Sequence, residues 1–262
     1  MRLIFIRHAE PNYELNTLTE KGFREAGLLA HRTSDWAVTQ VYCSPLGRAK
    51  DTAAPTLKAL EKEAIELEWL REFYDPIDPA LHPFHASIAW DFSPEYLNEH
   101  PELFDPIRWK SAEIMQSGRI GERYDEVCRL FDELLASYGY RRNGLRYDSD
   151  PTHIPSDAYM RYDGHTLEYM KENRADYTDT TLVFFCHLGI MKVLMSHLIN
   201  VSPVVLWHGF CTAPASVTIL NAEERIPGQA YFRCQVCGDT AHLREAGEPV
   251  SFYGAFAAPF QA

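Results

Sequence analysis

The chain has 262 residues, 46% of them apolar and 24% charged, enough to bury a sizeable core in one enlarged domain or one domain carrying insertions. Its 37 acidic residues outnumber 25 basic ones, giving a formal charge of -12 with no basic tract. Partners held through lysine and arginine, such as nucleic acids and anionic membranes, are therefore disfavoured.

In chain order, residues 2–6 form a short apolar run ending in Arg7-His8, which reads as a buried strand. The run is too short for the core of an export signal, so a cytoplasmic protein is expected, with its six cysteines reduced. A helix follows, N-capped by Thr19, with Phe23, Ala26, Gly27 and Ala30 on its inner face. Residues 40–44 form a second strand and turn through Ser44-Pro45 into a helix with Ala49, Thr52, Ala53, Thr56, Leu57 and Leu60 inside. Residues 65–69 alternate apolar and acidic side chains, predicting a half-buried strand that ends just before Glu72. Between about 74 and 121 prolines and aromatics abound without a long period, as in an insertion that covers something. Residues 122–138 return to a helical stripe of Tyr124, Val127, Cys128, Phe131, Leu134, Leu135 and Tyr138, and a second irregular insertion spans about 139–178. Residues 180–186 read as a buried strand ending in His187-Leu188-Gly189, with a helix to about Asn200. The tail offers strands at 216–220 and 231–236, joined near Pro227-Gly228. The rhythm predicts an α/β fold, a three-layer sandwich around a mostly parallel sheet, with a cap made by the insertions. No run approaches the roughly 18 apolar residues of a membrane span.

Two strand ends present histidine, His8 and His187, and the turn at 44–48 brings Arg48 onto the first turn of a helix. Ligands of open α/β sheets bind at the C-terminal edge of the strands, where these points can converge. Two imidazoles with the guanidiniums of Arg7 and Arg48 suit a dianionic group with several oxygens, phosphoryl above all.

Five segments carry a family pattern in order: Arg7-His8-Ala9-Glu10, Leu18-Thr19-Glu20-Lys21-Gly22, Cys43-Ser44-Pro45-Leu46-Gly47-Arg48-Ala49 followed by Thr52-Ala53, Cys186-His187-Leu188-Gly189, and Ala215-Ser216-Val217-Thr218-Ile219. On these motifs the chain resembles the histidine phosphatase superfamily, whose fold is phosphoglycerate mutase-like. The resemblance implies a metal-independent phosphomonoester hydrolase, without cofactor, in which His8 takes the phosphoryl group of a small metabolite as phosphohistidine. Arg7, Arg48 and His187 would bind the phosphoryl oxygens, Asn12 and Leu188 would add substrate contacts, and Glu72 would be the acid and base. The chemistry is consistent: a neutral imidazole is a good nucleophile, and neighbouring arginines disfavour its protonation.

Pro11 and Glu14 depart from the pattern, standing where many members carry Thr or Ser and Asn, so Asn12 is expected to take over that contact. Asp75 and Asp78 rival Glu72 as the acid. The Trp and Asn that accompany glycolytic mutases are missing, which favours hydrolysis; a mutase and a non-catalytic phospholigand-binding module remain as alternatives. Cys234-x-x-Cys237 with His242 resembles part of a zinc site, but a fourth ligand is not evident, and thiols packed as small hydrophobes are expected. His82 and His85 read as solvated loop histidines, and Cys43 and Cys186 as strand packing. A homo-oligomer is compatible with all of this.

Overall fold

A computed structural model of the chain describes residues 1–149, 180–226 and 228–259. Its strands are β1 (Arg2–Arg7), β2 (Pro11–Asn12), β3 (Thr17–Leu18), β4 (Gln40–Cys43), β5 (Ala64–Glu66), β6 (Tyr140–Asn143), β7 (Arg146–Ser149), β8 (Thr181–Cys186), β9 (Val217–Ile226) and β10 (Gln229–Asp239). β2 and β3 form a small ribbon; the others make one sheet in the order β5-β4-β8-β1-β9-β10-β7-β6. β5, β4, β8 and β1 pair in parallel and the remaining pairs are antiparallel, so only β9 and β7 run against the common direction.

The central strand explains the layers. Leu3 and Phe5 of β1 face one core and Ile4 and Ile6 the other, so an almost wholly apolar strand is buried on both sides. Helices α1 (Glu20–Thr33) and α2 (Gly47–Leu60) cover the Ile4 face. Across the sheet lie the cap helices α3 (Pro94–Glu99) and α4 (Glu113–Gln116), then α5 (Ile120–Ser137), α6 (Leu188–Ile199) and α7 (Pro203–Gly209). A short α8 (Ala241–Glu245) packs beside α1. On the Phe5 face, Phe5 stacks on Phe184 at 5.1 Å, and Phe131 meets Phe184 edge-on at 5.9 Å. Burial of each such ring contributes on the order of 2–3 kcal/mol. No helix among the described residues is long and apolar enough to cross a membrane.

Three elements differ from the sequence expectation. Thr19 does cap α1, accepting from the Gly22 N–H, but the buried face holds Gly22, Glu25, Ala26, Leu29, Ala30 and Thr33, while Phe23 is 52% exposed and Gly27 open to solvent. Backbone contact sets this rotation. Gly22 lies so close to Glu10 that a Cβ there would sit 2.2 Å from the Glu10 carbonyl oxygen, and buried Glu25 accepts from the Glu10 N–H at 2.8 Å. β5 stops at Glu66 on the sheet edge with Ile65 exposed; a 3₁₀ turn at Glu68–Leu70 then buries Leu70 and delivers Glu72 inward. Residues 140–149, expected to be irregular, form the β6–β7 hairpin and extend the sheet. One aromatic accounts for it: fully buried Tyr147 packs edge-on to Phe232 at 5.0 Å and donates to Asp132 at 2.7 Å. The rest of that expected insertion lies outside the described residues.

The 74–121 stretch is a cap of short helices and 3₁₀ turns. It is anchored by Trp109, fully buried and edge-on to Tyr124 at 5.0 Å, and by Trp90, which meets Trp207 of α7 at 5.4 Å.

Candidate active site

Parallel register brings the site together. Arg7 pairs with Cys186 and Cys43 with Phe185, so the next residues, His8, His187 and Ser44, emerge side by side at one sheet edge. The amides of His8 and Ser44 continue the ladder onto the Cys186 and Phe185 carbonyls, each at 2.9 Å. The imidazoles of His8 and His187 lie 5.1 Å apart, and both residues are buried.

The His8 imidazole is held in one tautomer. His8 Nδ1 lies 2.8 Å from its neighbour's carbonyl, Ala9 O, so the proton sits on Nδ1 and Nε2 keeps its lone pair. The Ala9 amide is itself fixed by Thr52 Oγ1 at 2.9 Å, which ties the strand tip to α2. The Ser44 hydroxyl oxygen accepts from the Leu46 N–H at 3.3 Å and contacts His187 Nε2 at 2.7 Å. With Ser44 donating to Nε2, the His187 proton resides on Nδ1. Burial and then Arg7 and Arg48 hold His8 well below the usual imidazole range; burial, His8, Arg48 and Arg7 do the same to His187. Both rings are neutral near pH 7.

Arg7 donates through Nη1 to Thr212 O at 2.7 Å, and Gly254 lies flat against its guanidinium, where a Cβ would meet Nη1 and Nη2 at 3.1 Å. Arg48 donates to Asn16 Oδ1 at 3.1 Å and lies 5.3 Å from the ring centre of Tyr13, whose phenol also bonds Arg7. Burial draws both guanidiniums below their ordinary value. Arg7 Nε, Arg48 Nε and His187 Nδ1 are buried without a protein hydrogen-bond partner among the described residues. Two guanidinium donors and an imidazole nitrogen of this kind, beside the neutral His8 ring, suit an anion with several oxygens. Tyr13 and Asn16 carried no signal in the sequence, since a polar loop has no period. Asn12 instead turns its Oδ1 onto the Leu15 N–H at 3.1 Å, closing the loop that presents Asn16.

Glu72 enters from the end of the 3₁₀ turn and meets the first turn of α6. Its Oε1 accepts from the N–H groups of Phe73 at 2.8 Å and Ile190 at 3.0 Å, and the Gly189 N–H also acts on the carboxyl group. Burial raises its pKa and outweighs these donors and Arg48, all of which favour the charged form. Oε1 is thus held by two backbone N–H groups. Gly189 makes the arrangement possible: a Cβ there would lie 2.7 Å from Glu72 Oε1 and 3.0 Å from the Trp90 ring. The rival acids are placed elsewhere, Asp78 capping the turn at Ala80 and Asp75 beside Arg123 and Arg119.

Leu188, Gly189 and Gly254 join this polar centre to a groove of about 900 Å³ walled by Phe84, Trp90, Phe92, Trp207, Phe210 and Phe256. His82, expected in solvent, is 2% exposed: it donates from Nε2 to Trp90 O at 2.9 Å and accepts the Phe84 N–H at Nδ1, fixing two wall aromatics. His208 Nε2 likewise accepts from the Phe92 N–H at 3.0 Å. His85 is exposed. Cys43 and Cys186 are buried, which raises their pKa, to about 12 for Cys43. His242 contacts Arg32 through Nδ1 at 3.2 Å, and Cys234 and Cys237 are exposed rather than packed. No group of three or more His, Cys, Asp or Glu side chains suited to a metal occurs among the described residues.

Residues 3–76 match the histidine phosphatase superfamily (branch 1), a segment that contains Arg7, His8, Arg48 and Glu72. No curated protein sequence matches the chain. Among solved structures, a mycobacterial glucosyl-3-phosphoglycerate phosphatase superposes with a TM-score of 0.54 at 18% identity, covering 91% of this chain and 99% of that one. A phosphoserine phosphatase from Entamoeba histolytica gives 0.52 at 17% identity, covering 92% and 98%. The alpha-ribazole phosphatase of Shigella flexneri gives 0.51 at 17% identity, covering 91% and 96%. At such identities the likeness is one of fold.

Proposed function

We propose that this chain, a phosphatase of the histidine phosphatase type by its matched segment and its fold, hydrolyses phosphomonoesters through a phosphohistidine on His8. One observation carries the reading: a neutral imidazole with its free nitrogen fixed as Nε2 stands among two buried guanidinium donors and His187 Nδ1, none of which has a protein partner among the described residues. In the first step Nε2 attacks phosphorus while Arg7, Arg48 and His187 Nδ1 hold the non-bridging oxygens, and the ester P–O bond breaks. Glu72, protonated at the raised pKa that burial gives it, hands its proton to the departing alkoxide. In the second step Glu72, now a carboxylate, takes a proton from water as that water attacks phosphohistidine, and His8 leaves neutral.

The groove gives the alcohol its character. Apolar and aromatic side chains dominate its walls, with Asp91, His208 and Arg244 as charged or titratable members, and its volume is that of a small-molecule site. This favours a phosphomonoester whose alcohol carries aromatic or apolar surface over the phosphate of a small polar acid.

Acid-sensitive labelling tests the mechanism. Rapid mixing with ³²P-labelled phosphoester and quenching in base is expected to trap base-stable label on His8 in the wild type. His8→Ala is expected to show neither label nor turnover. Turnover that survives in His8→Ala refutes the mechanism, and transfer of the label to an added alcohol in preference to water assigns a mutase instead.

A further inference from the structure

The mechanism proposed above uses neither the Cys234-x-x-Cys237 pair nor the buried cation Lys192 beside it. In a regular strand, residues at odd spacing face opposite sides of the sheet. β10 is not regular here. Its register against β9 shifts between Cys234 and Val236 and again between Val236 and Asp239, and Gly238 follows with φ +67°. These bulges turn the two side chains to the same side, so that the Cys234 and Cys237 sulfurs meet beside the Thr218 hydroxyl, with the Cys234 thiol also placed to donate to the Val236 carbonyl at 3.3 Å. Both cysteines are exposed and neither is in a disulfide.

Behind the pair stands Lys192 of α6. It is 0% exposed, its Nζ has no hydrogen-bond partner among the described residues, and Phe210 offers only a ring centre at 5.6 Å. A buried ammonium without an anion is costly. The titratable groups that act on it through charge are the sulfurs of Cys237, Cys234 and Cys211, none of them in hydrogen-bond contact with it, with Arg7 as the opposing cation. A thiolate is the anion this arrangement can supply.

We infer that Cys237 and Cys234 form a redox-active dithiol, in which Cys237 is the reacting thiolate, Lys192 its counter-ion and Cys234 the resolving thiol. The hydrogen bond from Cys234 and the Lys192 charge both push the Cys237 thiol down, against the opposing effect of burial. With a peroxide as oxidant, the Cys237 sulfur attacks one oxygen, the O–O bond breaks, and hydroxide leaves and takes up a proton. The Cys234 sulfur then displaces the sulfenic hydroxyl, giving a disulfide and water. Two electrons pass from the two sulfurs to the peroxide.

The full chain tests this with iodoacetamide and hydrogen peroxide, read peptide by peptide in a mass spectrometer. At pH 7, Cys237 is expected to alkylate at least about tenfold faster than Cys211, the third exposed thiol. One equivalent of peroxide is expected to remove about two mass units from the peptide holding Cys234 and Cys237, and Cys234→Ser to stop at a sulfenic acid that dimedone traps. Lys192→Met is expected to raise the alkylation midpoint of Cys237 by about one pH unit, and Lys192→Arg to leave it in place. Equal alkylation rates, peroxide that joins Cys211 instead, or a midpoint unmoved in a folded Lys192→Met each overturn the assignment. The peroxide experiment on the wild type decides even if Lys192→Met does not fold.

Discussion

The phosphoryl end of the site and the groove beside it are made from opposite materials. At the phosphoryl end, parallel strand tips present Arg7, His8 and His187 and the first turn of α2 presents Arg48, each held by a backbone carbonyl or a neighbouring side chain. The groove is walled by aromatics from the irregular cap, α7 and the tail, held by the hydrogen bonds of His82 and His208. A group that must meet phosphorus in line tolerates little displacement, so it sits on the sheet. Apolar contact tolerates much more, so selection of the alcohol can rest on loops. Gly189 is where the two regions touch, with Glu72 on one side and Trp90 on the other.

Substitutions can break or sharpen this contrast. The largest effect is expected at the phosphoryl end: Arg7→Ala should lower kcat/KM by about 10²–10³ for every phosphoester, whatever its alcohol. A loss confined to one alcohol would move Arg7 to the groove side of the division. Glu72→Gln should cost about 10² with an alkyl phosphate and much less with p-nitrophenyl phosphate, whose leaving group needs no proton. The pH profile gives the sign. Because burial raises the Glu72 pKa, the wild type should keep its acid above the ordinary carboxylate range and lose activity as pH rises through that raised value. In Glu72→Gln the alkaline limb should vanish. Because the His8 pKa is lowered, the acid limb should lie below the usual imidazole range.

Gly189→Ala sharpens the comparison, since its methyl displaces the acid and the wall together; a drop of roughly 10- to 100-fold in kcat with an unchanged melting temperature is expected. Trp90→Ala should have the smallest effect, raising KM about tenfold for aryl or bulky apolar phosphoesters and leaving small polar ones nearly unaffected. A uniform change across both classes would show that Trp90 acts through Glu72 and not through the alcohol.

The contrast also explains what was legible beforehand. His8 and His187 stand at the ends of apolar runs, and Arg48 follows a Ser-Pro turn onto a helix, so pattern and motif located them and the register of β1, β4 and β8 joined them. Glu72 was placed by its position after a strand, although the strand ends early and a 3₁₀ turn delivers it. Asn12 bonds Leu15 while Asn16 meets Arg48, and Tyr13 and Asn16 carried no signal, because loop closure decides which side chain of a polar loop faces Arg48. The inner face of α1 was misread for a related reason: close approach of Gly22 to Glu10 outweighs the size of Phe23.

Local sequence by itself determined the strands, the longer helices and the chemical type of the proposed nucleophile and its cationic neighbours, because periodicity and the ionisation of side chains are properties of short segments. Tertiary structure alone decided which imidazole nitrogen stays free, that burial outweighs three backbone N–H groups at Glu72, and that aromatics from distant segments wall one groove. Those outcomes depend on burial and on partners far apart in the chain, and neither is written in any short stretch of it.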